Sequence, residues 1–222
     1  MHSPLVHSHD YIGSLGLDQA VYSYGSTGKL HPAAFLASMK FASELARDGK
    51  VHHFTRVRKD FEDFLVLHKP FLNDLSHAKG SRTRPLESYM VLHRTLFDCL
   101  QKGISSDQDI LDQLQSKNEL KNSLKQLEPY EPAVTKKFSK TATAIAMIRD
   151  TLATRSRCPM CGARLPPYAR SRDHILRAED GGTGDANNLQ FTHPSCNGGY
   201  KEWLHSQRVK AEKGIDCAGS PN

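Results

Sequence analysis

Two pairs of soft metal ligands constrain this chain more than anything else in it: Cys158-Pro-Met-Cys161 and His193-Pro-Ser-Cys196, with 31 residues between them. Each pair alone says little, since a CxxC also serves as a redox couple. Together they let four donors converge on one ion, and three thiolates with one imidazole predict tetrahedral zinc. Cys158, Cys161, His193 and Cys196 fill every position, so no place is left for an activated water and the expected role of the zinc is structural. Five cysteines with a CxxC fit a reducing compartment better than a disulfide framework. Of the other two, Cys99 lies in an apolar helical pattern and reads as a buried thiol, and Cys217 reads as a surface thiol.

The staple also sets a size. A segment running from 158 to 203 is too short to fold on apolar burial alone, and bound zinc would supply the missing folding energy. The full 222 residues, 38% hydrophobic, can bury an ordinary core as one large domain or two smaller ones. Lys and Arg number 30 against 24 Asp and Glu, and the net charge of +6 suits a phosphate-rich partner. No apolar run nears the roughly 20 residues of a membrane helix, and residues 1 to 12 lack the apolar block of a signal peptide. The expectation is a soluble, cytoplasmic protein with no membrane contact.

Most of the chain predicts helix. Residues 1 to 30 carry Gly13, Gly16, Gly25 and Gly28, which predicts an irregular lead-in where only Ala20-Val21-Tyr22 could make a strand. From Pro32, Phe35, Met39, Ala42 and Leu45 recur at helical spacing until Gly49. A second helix sets Phe54, Val57, Phe61, Phe64 and Leu65 on one face, with Arg56, Arg58, Lys59 and Asp60 largely on the other. After a break at 80 to 85, Leu86, Tyr89, Met90, Leu96, Phe97 and Leu100 make the clearest apolar stripe, and His93 within it reads as a hydrogen-bonded core histidine. Ser106 with Asp109 caps a further segment, whose Ile110, Leu111, Leu114, Leu124 and Leu127 run on to Pro129 and Pro132. A last helix over 136 to 154 points Phe138, Ala142, Ile145, Ile148 and Leu152 inward and leads rigidly into Cys158. Residues 31 to 154 therefore predict a helical scaffold, or a domain on which a partner protein docks, with no catalytic spacing of its own.

Between the ligand pairs stand Asp173-His174-Ile175, Gly181-Gly182 and Asn188-Leu189, and Asn197 directly follows the last cysteine. This order resembles the HNH endonuclease family, in which a DH closes a short strand, a GG loop follows, an NL pins that loop, and an Asn trails the second ligand pair. The resemblance implies a zinc-stabilised ββα-metal module over 155 to 205, a polar tail over 206 to 222, and an α+β class for the whole chain. It implies that His174 is the general base for the attacking water. It gives Asp173 and Asn197 a catalytic divalent cation, Mg²⁺ or Mn²⁺, which would polarise the scissile phosphate. Asn188 would cross-link the loop and orient His174; Asn187 competes for that place, but only Asn188 precedes Leu189 directly. Three features depart from the family pattern: HxxC replaces the commoner CxxC, Asn197 stands in place of a His, and Arg177 stands where Pro is frequent.

Arg155, Arg157, Arg164, Arg170 and Arg172 crowd a stretch free of Asp and Glu. Beside a phosphodiesterase centre, Arg164, Arg170 and Arg172, together with Arg177, read as a phosphate-tracking surface on DNA. Tyr168 could stack on a base or pack between its prolines. The leading expectation is a metal-dependent endonuclease acting on DNA, as a single module or a homodimer; the other is a zinc-stabilised nucleic-acid-binding module, or an effector subunit, without cleavage of its own. Residues 29 to 36 and 54 to 61 are similar to the segment before the HNH module in bacterial restriction proteins that begin with a ParB-like nucleotidase domain. That likeness implies restriction or anti-phage defence, with this chain as the effector half.

Overall fold

The protein was analysed as a computed structural model, which describes residues 14–70, 75, 85–121 and 137–212. The expectations for Leu124, Leu127, the prolines at 129 and 132, Cys217 and most of the break at 80 to 85 lie outside the described residues. The class is α+β, a mainly helical chain with one two-stranded sheet near its C-terminal end.

The first buried element is a single turn, α1 (Gln19–Tyr22), and not the strand that Ala20-Val21-Tyr22 suggested. Asp18 supplies the N-cap, its carboxylate accepting from the Ala20 N–H at 2.9 Å, and that cap selects helix over strand. Around it stand α2 (Pro32–Arg47), α3 (Val51–Leu67), α4 (Leu86–Gln101) and α5 (Asp107–Gln115). Pro32 opens α2, and Gly49, at φ 66°, makes the left-handed turn into α3. Central α4 packs along α2 and α3, and α5 packs on α4.

Aromatic rings fill the centre. Phe41 meets Phe54, Phe61 and Phe97 at centroid distances of 5.6, 5.8 and 5.9 Å, edge-on to Phe54 and Phe97 and stacked on Phe61. The same core takes in Leu15, Leu17, Val21 and Tyr22, so the irregular lead-in contributes to the core between Ser14 and Ser23. His93 is a core histidine as expected, but neither ring nitrogen has a hydrogen-bond partner among the described residues.

Two side chains break the helical pattern. Phe138 is 92% exposed instead of inward, because the Ser139 hydroxyl caps Ala142 N–H and starts α6 (Lys140–Ala153) only after it. Arg58, expected on the solvent face of α3, is buried: its guanidinium pairs with Glu62 at 2.9 Å and donates to the carbonyls of Leu15 and Gly16. Three hydrogen bonds offset its desolvation and bind the lead-in to α3.

Beyond α6 the chain makes a metal-ligand knuckle, then β1 (Ser171–His174), a loop, β2 (Leu189–Thr192), a π-turn over Cys196–Tyr200 and α7 (Lys201–Glu212). Helix α7 continues past 205, the expected end of the module. Strands β1 and β2 are antiparallel, pairing Arg172 with Phe191 and His174 with Leu189. This part is clamped to the helices. Arg155 pairs with the capping Asp18 at 2.8 Å, Arg157 and Arg164 with Asp63 at 2.9 and 2.7 Å, and the Arg164 N–H donates to Glu62.

Candidate functional site

The knuckle is built by a short hairpin. Cys158 N–H donates to Ala163 O at 2.9 Å, Gly162 N–H returns to Cys158 O at 2.8 Å, and Gly162 at φ 70° makes the turn. A Cβ on Gly162 would also stand 3.0 Å from the Lys59 side chain of α3. The second ligand pair comes from the segment after β2, where Cys196 begins the π-turn. Donor atoms of Cys158, Cys161, His193 and Cys196 all lie within 4.8 Å of one another. Hydrogen bonds from Cys161 and Cys196 hold the Cys158 thiol far below its ordinary range, while the Cys161 thiol is pushed up to about 12, chiefly by Cys158. Three sulfurs packed this closely can all be thiolates only with a cation among them.

His193 settles the fit. Its Nε2 lies 2.9 Å from the Arg164 carbonyl, which can only accept, so the ring proton sits there and Nδ1 is left as the donor among the sulfurs. Nδ1 stands 3.5 Å from Cys161 Sγ and 3.9 Å from Cys196 Sγ. Three thiols and an oriented imidazole fit one tetrahedral zinc ion, and the Cys158, Leu165 and Cys196 cluster around it is far too small to hold the segment alone. Zinc, when bound, supplies that fold-holding energy.

The ribbon sorts its side chains by alternation. Arg172 and His174 of β1, with Leu189 and Phe191 of β2, are exposed; Asp173 is buried. His174 opens onto a cleft of about 410 Å³ between β1 and the 183–188 loop. Asn188 ties that loop across: its Oδ1 accepts from Leu176 N–H at 2.7 Å, and its Nδ2 donates to Leu176 O and Thr183 O at 3.0 and 2.7 Å. Asn187 is exposed, and only its backbone N–H takes part, donating to Asp185. Gly182 explains the double glycine, since a Cβ there would fall 1.9 Å from Leu176 O.

Asp173 and Asn197 do not stand as free cation ligands. Lys201 Nζ sits 2.6 Å from Asp173 Oδ1, and Gln190 Nε2 donates to Oδ2 at 2.8 Å. Asn197 turns its amide nitrogen to Ser171 Oγ and Arg172 O, both at 2.9 Å, and so clamps the π-turn to β1. With the carboxylate taken up by Lys201 and Gln190, this arrangement does not fit a divalent cation as the resemblance implied. Lys201 and Gln190 escaped sequence reasoning: a lone Lys after Gly-Gly-Tyr and a lone strand Gln carry no spacing that marks them.

The arginines divide. Arg164, read as phosphate-facing, is 7% exposed and holds Asp63, Glu62 and the Leu152 carbonyl, a structural clamp. Arg177 is drawn to Glu179 and Glu202. Arg170 and Arg172 are exposed; Arg170 touches Ser156 Oγ at 3.4 Å, and Arg172 has no side-chain partner among the described residues. Tyr168 packs: its hydroxyl donates to Leu17 O and accepts from Gln19 N–H.

Residues 158–202 match the family model of the HNH endonucleases. The HNH match gives this segment a nuclease-type function, and its limits coincide with the ligand pairs and the ribbon. No curated protein and no solved structure matches the chain. Among the described residues no helix is long and apolar enough to cross a membrane.

Proposed function

We propose that this protein is an endonuclease that hydrolyses DNA phosphodiester bonds, with His174 as the general base. The observation that carries the reading is the placement of His174 on the open face of the HNH ribbon, at a cleft whose far wall Asn188 holds in place. In the proposed step a water oxygen attacks phosphorus while an imidazole nitrogen of His174 takes the water's proton, and the 3′ oxygen leaves with the bonding electron pair. Negative charge builds on the phosphoryl oxygens. Arg172, two residues before His174 on the same strand face, is placed to balance it. Exposed Leu189 and Phe191 supply apolar surface beside these polar groups, which suits sugar edges and bases.

The test is nicking of supercoiled plasmid by the zinc-loaded protein with Mg²⁺ or Mn²⁺. His174→Ala should keep its zinc and lose activity by roughly 10² to 10⁴, the usual share of a general base. Equal cutting by the variant would remove His174 from the centre. A second reading, nucleic-acid binding without cleavage, is favoured by one observation, the engagement of Asp173 by Lys201. A place in restriction or anti-phage defence is supported by the likeness of residues 29 to 36 and 54 to 61. Those segments lie at the start of α2 and on α3, where Phe54 and Phe61 serve the aromatic core.

A further inference from the structure

We propose that Lys201 is the resident cation of the Asp173 site, a built-in competitor that any divalent metal must displace before Asp173 can ligate it. Asp173 is 4% exposed, so its charge needs a partner inside the fold. Lys201 is that partner, donating to Asp173 Oδ1 at 2.6 Å and to the His174 carbonyl at 2.7 Å. Gln190 takes Oδ2 from the neighbouring strand. One lysine therefore binds the carboxylate next to the proposed base and the backbone of the base itself.

The backbone puts Lys201 there. In the π-turn over Cys196–Tyr200, the Lys201 N–H reaches back to Cys196 O, five residues away instead of four. That wide ring sets residue 201 above Cys196, on the side where the π-turn packs against β1. A regular α-turn would rotate position 201 away from the strand. Such insertions cost helix regularity and recur where a side chain has to be aimed.

Charge then decides what the site accepts. With Lys201 in place the Asp173 pair is neutral, so an approaching divalent ion meets no net attraction and an ammonium on the same oxygen. Without Lys201 the site is a buried carboxylate with a net charge of −1 and Gln190 as its remaining donor. Lysine suits a competitor that yields, because its ammonium rides on a flexible four-carbon stem. Loading of Asp173 with metal is thereby made conditional on Lys201 letting go.

This inference rests on the nuclease reading for its purpose, and its test does not use cleavage. Mn²⁺ binding to the full-length, zinc-loaded protein is followed by the paramagnetic resonance signal of free Mn²⁺, for the native chain, Asp173→Asn, Lys201→Met, Lys201→Gln, and Lys201→Met combined with Asp173→Asn. The native chain should show no tight Mn²⁺ site that Asp173→Asn removes. Lys201→Met should bind one Mn²⁺ at least tenfold more tightly than the native chain, and the double variant should return to the native level. If Lys201→Met loses its zinc, Lys201→Gln, which keeps a donor for Asp173, carries the comparison. A tight, Asp173-dependent site in the native chain overturns the proposal, as do unchanged or weaker binding in the Lys201 variants and a tight site that survives Asp173→Asn. Plasmid nicking lost in His174→Ala while Mn²⁺ binding ignores Lys201 would sink this inference and leave the nuclease reading standing.

Discussion

His93 lies fully buried among Tyr22, Phe41 and Phe61, with both ring nitrogens unpartnered among the described residues. Burial lowers its pKa from 6.5 to about 4. Between those values the unfolded chain takes up a proton that the folded chain refuses, so stability falls as pH drops from 6.5 towards 4. Above that window the effect is flat. The slope is at most about 1.4 kcal/mol per pH unit. His93→Leu should flatten this acid limb, as read from urea midpoints at several pH values; an unchanged limb would place the titration elsewhere. Asn188→Ala strips three hydrogen bonds from the cleft loop and should lower both stability, by about 1–3 kcal/mol, and cutting, with zinc content intact. At this scale the four zinc ligands were legible from their spacing, and the loop cross-link made by Asn188 was what the family resemblance implied. The burial of Arg58 and Arg164 was not. Charge type predicts exposure until a carboxylate from a distant element, Glu62 or Asp63, arrives to pair with it.

Elements were legible where one period ran long enough. Helices α2, α3 and α4 followed their apolar stripes closely, and Ser106 announced α5. Short elements were decided by single caps: Asp18 turned an apparent strand into α1, and Ser139 cut Phe138 off from α6. The π-turn left no trace in the periodicity, since one inserted residue looks like a shift of phase. Gly182→Ala tests the cleft loop by another route. Its Cβ would collide with Leu176 O, so the loop has to open, and plasmid cutting should fall at least tenfold with zinc unchanged.

Across the whole molecule, the helical part and the HNH segment share one interior junction. Glu62 accepts from Arg58, Tyr22 and the Arg164 N–H, and Arg164 in turn offers its carbonyl to the zinc-site His193. Sequence patterns could mark two regions, but not that they lean on each other, because the contact that joins them, Glu62 with the Arg164 N–H, spans distant positions. A fragment of residues 155–222 should therefore surrender zinc to a chelator far faster than the full chain, by at least tenfold; equal retention would show an autonomous module. Glu62→Ala leaves Arg58 buried without its anion and should cost about 3–5 kcal/mol in denaturant unfolding. The lead-in carries the longest of these dependencies. Ser14 O accepts from Ser195 N–H at 3.1 Å, and Gly16 sits so close to Ala169 and His193 that a Cβ would stand 3.0 and 3.3 Å from them. In a growing chain, residues 15 to 17 can dock on α3 as soon as Arg58 has emerged, whereas the side of the lead-in that meets Ala169, His193 and Ser195 stays open until those residues follow. A chain that stops short of position 195 would carry that side of its opening segment uncovered, the kind of exposed backbone that proteases cut first.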